Sequence, residues 1–122
     1  MPNAFVHVEL STTDVAKAKE FYSRLFDWKL EDMPMGDGMI YTMIGVGNGT
    51  AGGIMQQMQP GAPSAWLAYV GVDDIQKSTA KARELGATVV VDVTPVANYG
   101  LMSVLIDPTG AHIALWQPKG QM

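Results

Sequence analysis

A chain of 122 residues with 48% apolar and 16% charged side chains suits one compact domain and is too apolar to be a disordered one. With no cysteine it can form neither disulfides nor thiolate metal sites, so any metal would fall to His, Asp or Glu. Eight basic against twelve acidic residues give a net charge of −4. There is no basic stripe and no apolar run of about 18 residues, so nucleic acid and membrane are not expected partners. Met1, Pro2, Asn3 and Ala4 lack the basic and apolar regions of a secretory leader, and the expected location is cytoplasmic.

Residues 5–11 alternate with period two, placing Val6, Val8 and Leu10 on one face of a strand and His7, Glu9 and Ser11 on the other. Asp14 then precedes residues 15–26, where Val15, Ala18, Phe21, Tyr22, Leu25 and Phe26 recur at three- and four-residue steps. That spacing predicts an amphipathic helix capped by the Asp14 carboxylate. Residues 29–31 read as a strand, 33–38 as a loop, 39–44 as a strand, and 45–49 as a glycine-rich turn. Residues 51–57 read as a weaker strand because Gly52 and Gly53 give it little to pack.

The connector at 60–64 is rich in turn formers, and beyond it the order repeats. Residues 66–72 read as a strand in which Trp66, Ala68, Val70 and Val72 should pack under a second helix. That helix, 75–85, is capped by Asp74 and stops at Gly86. Residues 88–93 are β-branched and extended, 94–100 read as a loop, and 101–106 and 112–116 as strands flanking a turn at 107–110. A shift of 60 residues lays His7 on Leu67, Asp14 on Asp74, Val15 on Ile75, Lys17 on Lys77 and Leu25 on Leu85. The expected fold is α+β: two βαβββ modules, about 4–58 and 65–118, joined by a linker at about 59–64 within one domain. Their curved mixed sheets, with helices outside, would enclose an open barrel-like cavity.

Several stretches resemble the vicinal oxygen chelate superfamily of glyoxalases, bleomycin-resistance proteins and extradiol dioxygenases. They are Val6 to Leu10 with Asp14, Phe21-Tyr22, Leu25-Phe26-Asp27-Trp28, Gly52-Gly53-Ile54-Met55, Tyr69 to Asp74, Leu85-Gly86-Ala87 and Asp107 to Gln117. The similarity spans nearly the whole chain and is greatest to short glyoxalase-related proteins. It implies a metal ligand on each of four strands, and the matching positions here are His7, Gly52 or Gly53, Leu67 and Ala114. One imidazole is too few for a divalent cation, which needs several N or O donors to replace its hydration. The expectation is therefore no cofactor. The alternatives are a divalent Zn, Ni, Fe or Mn, or a non-standard site of His7, Glu9 and His112.

His7 and Glu9 read either as acid/base groups lining the cavity or as a hydrogen-bonded pair on a half-wet sheet. Tyr69 is a candidate ligand-binding hydroxyl, with Leu67, His112, Ala114 and Trp116 on cavity-facing parity and Tyr99 a candidate lid residue. Met33, Met35, Met39, Met43, Met55 and Met58 suit either an adaptable binding surface or loose filling of core and interface. The leading expectation is a metal-independent homodimer holding a small, partly apolar organic molecule in the cavity between modules. It either sequesters that molecule or moves a proton with His7 and Glu9. A metal-dependent glyoxalase-like lyase, isomerase or dioxygenase is the alternative, and a dimerising module without ligand is a third.

Overall fold

A computed structural model describes residues 3–36 and 38–121; Met1, Pro2, Asp37 and Met122 lie outside the described residues. The chain is α+β and runs through the order βαβββ twice. The first pass is β1 (Phe5–Thr12), α1 (Val15–Leu25), β2 (Lys29–Gly36), β3 (Met39–Gly45) and β4 (Gly52–Gln56). The second is β5 (Ala65–Gly71), α2 (Ile75–Glu84), β6 (Thr88–Val96), β7 (Gly100–Ile106) and β8 (His112–Pro118), followed by a 3-10 turn at Lys119–Gln121. Two compact bodies result: His7–Leu67, and the segment before His7 together with the chain from Ala68 onward.

In the first body the strand order is β2-β3-β4-β1. β2, β3 and β4 are antiparallel neighbours, while β1 joins β4 in parallel, with Glu9 opposite Gly53 and Leu10 opposite Ile54. Leu10, Ile44 and Ile54 form the buried core beneath Val15, Ala18 and Tyr22 of α1. Asp14 is extended and its carboxylate accepts the Lys17 N–H at 3.0 Å, which starts the helix where its apolar spacing begins. Trp66 departs from expectation. Its ring packs edge-on against Tyr22 and Trp28 of this body, at 5.5 and 6.4 Å between centroids, and not under the second helix. The aromatic side chains at the end of α1 and beyond it attract the indole more than alternation along one strand predicts.

The second body has the order β5-β8-β7-β6, with β5 and β8 parallel and the others antiparallel. Val72, Ile75, Leu105 and Leu115 form its core with Val70, Ala82 and Val89. Asp74 repeats the cap of Asp14 by accepting the Lys77 N–H at 3.1 Å. Gln117 Oε1 takes the Ile75 N–H at 2.8 Å, and the Thr79 and Ser103 hydroxyls bond at 3.0 Å, so polar groups under α2 are paired. Ahead of β1, Ala4 O accepts the Gly71 N–H at 2.9 Å and Asn3 Nδ2 donates to Gly71 O at 2.8 Å.

Two loops expected from sequence are strand. β2 continues through Pro34 to Gly36, and β6 through Thr94 and Pro95 to Val96. Both strands lie at an end of the strand order, where a proline can sit without costing the ladder a hydrogen bond. The turn after β6 is confined to residues 97–99. The turn at 107–110 forms as read: Gly110 N–H donates to Asp107 O at 2.9 Å, while Asp107 Oδ1 accepts the Thr109 hydroxyl at 2.6 Å and the Thr109 N–H at 2.8 Å.

Candidate functional site

Pleating divides the first body's sheet into two faces. Thr42 Oγ1 donates to Asp32 Oδ1 at 2.7 Å, and Lys19 of α1 donates to the same carboxylate at 2.9 Å, so Thr42 and Asp32 look toward the helix. Their odd-numbered neighbours look the other way. Register places Met33 opposite Tyr41, Met43 opposite Gly53, and Gly53 opposite Glu9. That face therefore carries Met33 from β2, Met39, Tyr41 and Met43 from β3, Gly53 and Met55 from β4, and His7 and Glu9 from β1. Met39 and Met43 are each 37% exposed, and none of these methionines belongs to the buried core. Met58, beyond β4, is exposed.

Within this face three polar groups are joined. The Tyr41 hydroxyl donates to Glu9 Oε1 at 2.9 Å, and His7 Nε2 lies 2.6 Å from the same hydroxyl oxygen. A hydroxyl has one proton to give, and an ionised carboxylate can only accept. With Glu9 ionised, the Tyr41 proton goes to Glu9, which leaves His7 Nε2 the donor's role toward Tyr41. Burial pushes the His7 pKa below its usual 6.5 by penalising the charged ring, which favours a neutral imidazole.

The path of Tyr41 is set by Gly53. β4 lies between β3 and β1, so a side chain from Tyr41 reaches Glu9 and His7 only by crossing over β4. A Cβ at position 53 would collide with the Tyr41 hydroxyl and ring. Glycine leaves that space open. In sequence terms Gly53 is a packing weakness and Tyr41 an ordinary strand residue. A glycine inside a strand also marks close approach by a neighbour, and that was the available signal.

The other residues singled out from sequence, apart from Leu67, lie in the second body. Leu67 is a half-buried residue of β5 at the end of the first body. Tyr69 is 5% exposed, stands opposite Ala114 in the β5–β8 register, and meets Trp116 edge-to-face at 6.5 Å. Ala114 is fully buried. His112 is exposed at the start of β8, opposite Ile106. Tyr99 is exposed on the β6–β7 turn, whose backbone is pinned by Tyr99 N–H to Val96 O and Lys119 N–H to Tyr99 O, both at 3.0 Å. The structure thus joins His7 to Glu9 through Tyr41, and groups Tyr69 with Ala114 and Trp116.

A divalent cation of the kind the fold suggests finds few donors here. Among the described residues no three His, Asp or Glu side chains come together as potential metal ligands. In the first body His7 Nε2 and Glu9 Oε1 are both engaged by Tyr41, and Gly53 offers no side chain. Leu67 and Ala114 carry no donor atom. The residues present do not fit such an ion.

Residues 4–115 match the Glyoxalase/Bleomycin resistance protein/Dioxygenase superfamily, and the chain belongs to that superfamily. It is 39% identical over 115 residues to CFP32 of Mycobacterium tuberculosis (strain CDC 1551 / Oshkosh), a protein named as a glyoxylase; the match covers 90% of this chain and 44% of that protein. It is 30% identical to the anthracycline biosynthesis protein DnrV of Streptomyces peucetius, over 99% of this chain and 49% of DnrV. The chain thus spans about half the length of these curated relatives. Among solved structures, the hypothetical protein BH1468 from Bacillus halodurans C-125 superposes with a TM-score of 0.74 at 18% identity, covering 100% of this chain and 99% of that one. Methylmalonyl-CoA epimerase from Mycobacterium tuberculosis gives 0.70 at 17% identity, covering 93% and 87%. These two likenesses establish the fold. Among the described residues no helix is long and apolar enough to cross a membrane.

Proposed function

We propose that this chain is a cation-independent member of the superfamily that holds a small, partly apolar organic molecule on the methionine-lined sheet face of the His7–Leu67 body. The observation that carries the reading is the His7–Tyr41–Glu9 hydrogen-bond chain set among Met33, Met39, Met43 and Met55. Flexible, polarizable thioethers conform to flat or irregular apolar ligands. The polar chain offers the Tyr41 and Glu9 oxygens as acceptors for a ligand hydroxyl, and an imidazole–carboxylate pair able to move one proton. A relative named for anthracycline biosynthesis agrees with a flat polycyclic ligand. We place the protein in the cytoplasm as a homodimer. The exposed Phe21 and Leu25 on α1 support pairing, as does a relative's length sufficient for a second module of this size.

A thermal-shift screen of aromatic polyketides, antibiotics and small carbonyl metabolites tests the reading. A ligand present at about 100 times its dissociation constant stabilises by roughly 2.7 kcal/mol. Tyr41→Phe weakens that ligand, and His7→Ala abolishes any proton transfer it undergoes; full turnover by His7→Ala removes His7 from the chemistry. The second reading, a metal-dependent lyase, isomerase or dioxygenase, is favoured by the relative named as a glyoxylase. Metal analysis of the purified protein separates the two: one Zn, Ni, Fe or Mn per chain would overturn the proposal.

A further inference from the structure

We propose that Tyr41 stands where a cation would otherwise sit: lying across Gly53, it ties His7 to Glu9 through a single hydroxyl and fixes the imidazole as its Nε2–H tautomer. The inference rests on the cation-independent reading above and explains how the site does without an ion. A divalent ion would bring the imidazole nitrogen and the carboxylate oxygen of β1 to one centre, with a further donor from the neighbouring β4. Here the same two side chains converge on a phenol oxygen, His7 at 2.6 Å and Glu9 at 2.9 Å. β4, which lies between β3 and β1, contributes no ligand because Gly53 has no side chain, and the Tyr41 side chain fills the space such a group would need.

The two arrangements exclude each other. A carboxylate at position 53 cannot coexist with Tyr41 in its observed place, because its Cβ would fall on the ring. With Tyr41 present, a cation would have to break both of its hydrogen bonds to reach Nε2 and Oε1. Tyr41 is therefore a positioning residue. It orients the imidazole and carboxylate without a charge of its own, and any side chain at position 53 would have to displace it. Removing the tyrosine and adding a carboxylate should leave three donors, His7, Glu9 and position 53, on two paired strands that place Glu9 directly opposite position 53.

Two measurements test this on the full chain. Long-range nitrogen–proton NMR reports the tautomer of each of the two histidines, with His112 as the internal control. The wild type is expected to show His7 as Nε2–H, and Tyr41→Phe, which keeps the ring and loses only the hydroxyl, to lose that preference while His112 is unmoved. An Nδ1–H signature in the wild type, or an unchanged His7 in Tyr41→Phe, would overturn the inference. Calorimetric titration with zinc alone is the second measurement. The expected result is no stoichiometric binding by the wild type, and at least a tenfold gain in zinc affinity for the Tyr41→Ala/Gly53→Glu double variant. Tight zinc binding by the wild type would remove the cation-independent reading itself. A folded double variant as inert to zinc as the wild type would reject only the claim that Tyr41 takes an ion's place.

Discussion

A methyl group added at Gly53 would meet the Tyr41 ring before anything else. Gly53 is not among the positive-φ glycines, so backbone strain plays no part and the effect of Gly53→Ala is steric. It should cost about 1–3 kcal/mol in urea unfolding, as overpacking does. In a Tyr41→Ala background the same change should cost less, with a coupling energy of about 0.5–3 kcal/mol; strict additivity would mean that the two positions do not meet. His7 sets a pH dependence whose sign follows from burial. Its folded pKa lies below the unfolded 6.5, so the unfolded chain binds more protons between those values and stability rises with pH there. Stability should therefore fall as pH drops from about 6.5 toward the folded value, and His7→Gln should flatten that slope. Asp32, held low chiefly by the Lys19 hydrogen bond, and Asp107, held low chiefly by Thr109, act in a separate window: their contribution is lost as pH falls below about 3.8. His7 and Glu9 were readable from strand alternation alone. Tyr41 was not, because its role depends on which strand lies between β3 and β1, and strand order is a tertiary property.

The elements that follow local rules were the ones legible in the sequence. Asp14 and Asp74 cap their helices through the same contact, a carboxylate accepting the N–H three residues on. Replacing either with Ala should cost about 1 kcal/mol in chemical denaturation. A far smaller loss at Asp74 would mean that the Gln117 side chain, bonded to the Ile75 N–H, carries that helix end. Ile54 is fully buried between α1 and the sheet, so Ile54→Ala should cost about 2–5 kcal/mol. Lys19→Ala should cost no more than about 1 kcal/mol, since the 2.9 Å pair with Asp32 is partly exposed on both sides. The strand ends at Pro34 and Pro95 were missed for one reason. Proline argues against a strand only where its nitrogen faces a partner, and a single sequence does not reveal which strands end a sheet.

At the scale of the whole molecule, the 60-residue shift that aligned Asp14 with Asp74 also aligns complete elements: β1 with β5, α1 with α2, and β4 with β8. Duplication was legible because caps and helix periodicity survive divergence, while site residues do not: His7 matches Leu67. The proposed homodimer should sediment at the mass of two chains, and Phe21→Glu on the exposed face of α1 should return it to one; a wild-type monomer would reject the pairing. One further outcome follows from Asn3 and Ala4, whose bonds to Gly71 stitch the first residues of the chain onto a strand that begins some sixty positions later. Clipping the connector at 59–64 with a protease should not liberate two self-sufficient halves. The downstream piece, expressed by itself, would leave the Gly71 N–H and carbonyl without these two partners. Restoring it would call for a permuted gene in which the opening hexapeptide is grafted after the final turn.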